Sequence, residues 1–120
     1  MLIQEGNFVI DMSTVFEVCG GDKEIVVKMI TVFLNTLPGT IEKLEKYNES
    51  RDWDNLYKTA HAAKSALSII RIPPLFDMVL TVEQNARHLK DVAAIPQLIT
   101  KIISDFKEAA RLLKLRFHLD

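Results

Sequence analysis

Cysteine is nearly missing from this chain. Cys19 is the only one, so neither an internal disulfide nor a cysteine metal cluster is open to the fold. Excess charge of either sign is missing too: the formal net charge is −1, which gives no general attraction to nucleic acid or to an anionic membrane. Uninterrupted apolar runs fall far short of the roughly 20 residues that a transmembrane helix needs. The start, Met1-Leu2-Ile3-Gln4-Glu5, lacks the charged and apolar regions of a signal peptide. No G-x-x-x-x-G-K-[ST] or G-x-G-x-x-G loop is present to cradle a nucleotide, so the chain is not expected to be a kinase, or an enzyme, in its own right. The G-x-S-x-G elbow of hydrolases is absent. Di-iron helical bundles use inward Glu-x-x-His pairs, but Lys58, Asn85 and Leu115 stand three residues before His61, His88 and His118. Metal, nucleotide and triad chemistry are thereby set aside. A reducing cytosol fits best, with Cys19 as a small buried hydrophobe near a helix end.

What is present is helical periodicity. At 120 residues, 48% hydrophobic and 26% charged, the chain has the size and composition of one globular domain. Residues 1–10 read as an extended lead-in. Asp11 and Ser13 suit the start of a short helix that Gly20-Gly21 ends, and Asp22 suits the N-cap of the next. From there Val26, Met29, Ile30, Phe33, Leu37, Ile41 and Leu44 keep one helical phase across Pro38, which predicts a single kinked helix to about Tyr47. Asp52 caps a third helix ending near Ile70-Arg71, before Pro73-Pro74. Pro74 fits the first turn of a fourth, bearing Leu75, Met78, Val79, Val82 and Ala86. After a linker around Leu89–Asp91, Pro96 opens a last helix with the stripe Ile95, Leu98, Ile102, Phe106, Ala109, Leu112 and Leu113. Long amphipathic helices joined by short turns imply antiparallel neighbours. The expected fold is all-α, an up-down four-helix bundle with a short extra N-terminal helix.

One residue stands out in this frame. In the third helix Trp53, Leu56, Ala60, Ala63, Leu67 and Ile70 form the core stripe, and His61 falls off it. Tyr57, Lys58, Lys64, Ser65 and Ser68 share its side of the helix. Most isolated helix histidines are exposed and inert. This one combines an imidazole, which is nucleophilic when neutral, with Lys64 one turn on to offset the charge of a phosphoryl group. Small neighbours, Ala62, Ser65 and Ser68, leave room for a partner's backbone. No second catalytic group appears nearby, so the pattern suits a phosphoryl acceptor better than a general acid–base. His88 and His118 read as solvated helix-end residues, and Arg111, Lys114 and Arg116 suit a helix C-terminus.

The chain resembles the histidine-containing phosphotransfer (HPt) domains of multistep phosphorelays, whose signature is approximately H-x-x-K-G followed by small residues. His61, Lys64, Ala66 and Ser68 match it in register. Gly21-Asp22-Lys23-Glu24, Phe33-Leu34 with Leu37-Pro38, and Asp52-Trp53 also look like the family, and Glu83 with Arg87 resembles its L-E-x-x-x-R pattern. Three positions depart. The glycine four after the histidine is Ser65, the later glycine is Arg71, and the usual apolar residue two after the histidine is Ala63, implying a looser core beneath the site.

The resemblance implies a phosphorelay carrier of two-component signalling. His61 would take a phosphoryl group on its distal ring nitrogen from a receiver-domain phospho-aspartate and pass it to another receiver. Lys64 would stabilise the phosphorylated imidazole with Ser65 beside it, while Ala62 and Ser68 would meet the partner; Glu83 and Gln84 are expected to touch the partner from the following helix. The Mg²⁺ of such transfer would sit in the receiver, leaving this chain without a cofactor. The implied protein is cytoplasmic and monomeric, with response-regulator receivers as partners and contact with neither nucleic acid nor membrane. Both a free-standing carrier and a domain of a hybrid histidine kinase remain open. A helical adaptor that docks receivers without carrying phosphate is the rival reading, motivated by Ser65 and Arg71. A histidine-kinase dimerisation domain would carry an acidic residue after the histidine, where this chain has Ala62.

Overall fold

The computed structural model describes residues 1–120. The lead-in is a hairpin rather than a single extended segment. Strand β1 (Leu2–Glu5) runs antiparallel to β2 (Phe8–Asp11), with Leu2 opposite Asp11 and Glu5 opposite Phe8. Gly6-Asn7 closes the loop, and Gly6 takes φ 59°, the conformation that a glycine-first two-residue loop demands. Only Ile3 and Ile10 of the hairpin are buried, so the alternation was too brief to announce strands. Asp11 and Arg71 exchange two backbone hydrogen bonds (2.7 and 3.3 Å), stitching β2 to the turn after the histidine helix.

The helices follow the capping chemistry read from the sequence. Helix α1 (Ser13–Val18) ends at Gly20 and Gly21, both with positive φ. Helix α2 (Lys23–Glu49) starts where the Asp22 carboxylate accepts from the backbone N–H of Glu24 and Ile25. It passes through Pro38 unbroken, because the apolar stripe Val26–Ile30–Phe33–Leu37–Leu44 holds both halves to one core. Its 27 residues span about 40 Å at ~1.5 Å per residue, matching the molecule's long dimension of 42 Å. An 18-residue window of α2 averages a hydropathy of 1.3, so by length and composition it could cross a membrane even though no apolar run is unbroken. Its Ile, Val, Leu, Met and Phe residues carry that average. In this fold α2 is one wall of the bundle.

Helix α3 (Trp53–Leu67) begins at Asp52, whose carboxylate accepts from the Asn55 backbone and side chain. It stops at Leu67, earlier than the expected Ile70-Arg71. Ser68 Oγ donates to the Ser65 carbonyl at 2.6 Å, and Arg71 is drawn away to β2. Helix α4 (Pro73–His88) carries a proline in its first turn and closes at Leu89 in the left-handed region. A 3-10 turn (Val92–Ala94) leads to α5 (Ile95–Phe117). The four long helices form the up-down bundle, α3 lying between α2 and α4 and α5 closing the ring. Phe106, Ile30, Leu44, Leu56, Leu67, Leu75, Ile99 and Leu113 fill its centre.

Candidate functional site

The site is built across α3 and α4. Helix α3 presents its core stripe to the bundle interior, which rotates His61 and Lys64 toward the seam with α4. Across that seam stands Glu83, only 3% exposed although it is an acid. A buried carboxylate is stable only when paired and hydrogen-bonded. Both of its oxygens are used: Oε2 lies 2.5 Å from His61 Nδ1, and Oε1 accepts from Lys64 Nζ at 2.7 Å. One helical turn away from this pair on each helix, the Arg87 guanidinium lies 5.6 Å from the centre of the Tyr57 ring. These contacts fix α3 and α4 in one register.

Burial and pairing pull Glu83 in opposite directions. Burial pushes its carboxyl up, but the hydrogen bonds from Lys64 and His61 together outweigh burial and hold it below the usual carboxylate range. Glu83 is therefore ionised at neutral pH and can only accept. It follows that the His61 ring carries a hydrogen on Nδ1, so in the neutral imidazole the lone pair belongs to Nε2. The histidine side chain is 63% exposed, the lysine 25%. A largely exposed imidazole, anchored through Nδ1, thus stands on a rigid base with an ammonium beside it.

The structure brings His61 and Lys64 together through Glu83. Ser65 is exposed, and its Oγ donates to the His61 carbonyl within the helix at 3.3 Å. Ser68 lies just past the last turn and spends its hydroxyl on the Ser65 carbonyl. Ala62 is exposed and lines a groove shared with α2. Two expectations on the seam are corrected. Glu83 does not offer itself to a partner, because it is turned inward against His61 and Lys64; Gln84 is exposed beside it. Arg71 is not at a helix end but in the turn tied to Asp11.

Glu83 is the site residue whose role the sequence reading missed. A signal was present: Leu75, Val79 and Glu83 form one i, i+4 row on the buried face of α4, so a carboxylate occupies a core position.

Comparison with protein families matches residues 28–113 to the Hpt domain. Among solved structures, the fold is similar to the HPT domain of the Hpt sensor hybrid histidine kinase from Shewanella. That match has a TM-score of 0.80 at 15% identity and covers 91% of this chain and 93% of that one. It is likewise similar to histidine-containing phosphotransfer protein B (HptB) from Pseudomonas aeruginosa PAO1, with a TM-score of 0.80, 19% identity, and coverage of 89% and 92%. At these identities the likeness is one of fold. No curated protein sequence matches the chain.

Proposed function

The chain belongs to the Hpt domain family, and on that premise we propose that it is a cytosolic, monomeric phosphorelay carrier with His61 as its phosphoryl acceptor. The observation that carries the assignment is the His61–Glu83–Lys64 cluster, the one place where a buried carboxylate sets the tautomer of an exposed imidazole. In the proposed step, the Nε2 lone pair attacks the phosphorus of a receiver's phospho-aspartate. An N–P bond forms, the P–O bond breaks, and the aspartate leaves as a carboxylate in the receiver. The Nδ1 hydrogen stays in place, so the ring becomes cationic as it is phosphorylated. Glu83 already lies against that ring and offsets the new charge without rearranging, the economy that fixed dipoles and charges give to catalysis. Lys64 uses one N–H on Glu83; its other two are free for phosphoryl oxygens. Transfer onward is the reverse of these events with a second receiver.

The Mg²⁺ implied for such transfer is assigned to the receiver. Both Glu83 oxygens are occupied by His61 and Lys64, so the cluster offers it no free carboxylate. The bundle's own contribution is positioning, which supplies much of the catalysis of phosphoryl transfer.

The test is direct. Incubated with a phosphorylated receiver domain, the protein acquires acid-labile, alkali-stable phosphate, and His61→Gln acquires none. Labelling of His61→Gln to the wild-type level would show that the acceptor lies elsewhere. Absence of label in both would favour an adaptor.

A further inference from the structure

Helix α2 packs on α3 along one side and on α5 along the other. The α2–α5 seam opens into a surface groove of about 550 Å³. Its floor is apolar: Leu34 and Ile41 of α2 and Ala110 of α5 are half-buried there, and Pro38 stands exposed between the first two. Its α5 wall is cationic. Lys107, Arg111 and Lys114 follow one another at i, i+4 and i+7, and no acidic side chain lines the groove. In a chain of net charge −1 this is a local concentration. The helix dipole accounts for Lys114, the only one of the three in the last turn of α5. It does not account for Lys107 or Arg111, because that field fades beyond the terminal turn. Lys107 and Lys114 form no ion pair within the chain. Arg111 holds the Glu5 and Glu108 carboxylates through Nε and Nη2, which leaves both N–H groups of Nη1 free.

We propose that this groove docks a short amphipathic helix of another protein, apolar on the face laid between α2 and α5 and acidic along the edge turned to α5. Three observations choose the occupant. The lining charge is of one sign, so an acidic segment is drawn in and a basic one repelled. The row Leu34–Pro38–Ile41 runs about 10 Å at ~1.5 Å per residue, two turns of helix, so apolar anchors at i, i+4 and i+7 match it. The groove is concave between two helices, so a ridge of side chains reaches its floor where a flat bilayer does not. The cations stand on the α5 wall alone, which also fixes which way round the segment lies. This goes beyond the phosphorelay reading and does not rest on it. Helix α5 lies across the bundle from α3, so a protein held here leaves His61 open. The groove is a tether, separate from the site of chemistry.

The probe is a fluorescein-labelled synthetic peptide held helical by a hydrocarbon staple, with Leu at i, i+4 and i+7 and Glu along one flank. Its control carries Lys in place of Glu. Fluorescence anisotropy shows the Glu peptide binding at least tenfold more tightly than the Lys peptide, with the difference shrinking as salt screens the exposed charges. Reversing Lys107 and Lys114 together to Glu weakens the Glu peptide by roughly tenfold. Ile41→Gln weakens it too, and all three positions lie outside the buried core, so the fold is kept. Amide shifts in NMR move along Leu34–Ile41 and Lys107–Lys114 and stay still in α3. Equal binding of the two peptides, or binding of the Glu peptide unchanged by the double reversal, would overturn the proposal. So would capture of phosphatidylglycerol vesicles in preference to the Glu peptide, which would make the wall a membrane contact. A wild-type dimer that the double reversal dissociates would also overturn it, since the occupant would then be a second copy. Labelling of His61 by a phosphorylated receiver is the same with and without saturating Glu peptide; inhibition would refute the separation of tether and site. Absence of any labelling would strike the phosphorelay reading and leave the groove standing.

Discussion

Replacing Glu83 by Gln probes the tautomer argument with almost no change of shape. The carboxylate accepts from His61 Nδ1 at 2.5 Å and from Lys64 Nζ at 2.7 Å. A glutamine offers one oxygen and one NH₂. Lys64 can only donate, so the amide oxygen turns to it and the NH₂ faces His61. An NH₂ at that place requires a bare Nδ1, which moves the ring hydrogen to Nε2 and removes the lone pair proposed to attack phosphorus. The opposite flip keeps the reactive tautomer but sets the NH₂ against an ammonium. Either way the reactive arrangement forfeits a hydrogen bond to a charged group, about 1.5–3 kcal/mol. At about 1.4 kcal/mol per factor of ten, transfer slows by roughly ten- to a hundredfold. The assay is single-turnover phosphotransfer from a phosphorylated receiver, with ¹⁵N NMR of the His61 ring to read the tautomer and a thermal melt to confirm folding. A folded variant that transfers at the wild-type rate with its hydrogen still on Nδ1 would refute the reasoning.

Further expectations concern stability and access. Glu83 has a folded pKa below its usual 4.5, since the Lys64 and His61 bonds more than reverse the upward push of burial. A depressed carboxylate stabilises the fold fully above its unfolded value and loses that contribution as pH falls through the folded one. Acid titration by circular dichroism should therefore show the gap between wild type and Glu83→Gln closing below about pH 4.5; a gap that persists into strong acid contradicts the assignment. Ser65→Gly lowers stability by about 0.5 kcal/mol through helix propensity. It also speeds receiver-dependent transfer by removing the hydroxymethyl beside His61, and an unchanged rate would show that Ser65 lies outside the partner's path. Asp22→Ala removes the α2 cap and costs about 1 kcal/mol in urea denaturation. No change there would mean that α2 is held by packing alone.

Much of the bundle was legible because its punctuation is local. Asp22 and Asp52 cap the helices they precede, Gly20 and Gly21 end α1, and prolines open α4 and α5. His61 and Lys64 share a face by spacing alone. Glu83 is different, because it lies 22 residues from His61 and meets it only once α3 and α4 pack. Spacing within one helix cannot report a partner on another, although an acid on the Leu75–Val79 row was a clue. The hairpin escaped for a related reason. Its strands are four residues each, and its tie to Arg71 depends on where α3 happens to stop. Gly6-Asn7 was the available signal.

The placement of α3 between a locked seam and an open one separates two kinds of heritable change. The contacts that orient the imidazole lie toward α4, whereas the residues lining the groove beside it lie toward α2. If His61 carries phosphate as proposed, substitutions along α2 would leave untouched the contacts that set its tautomer, because none of them lies on that helix.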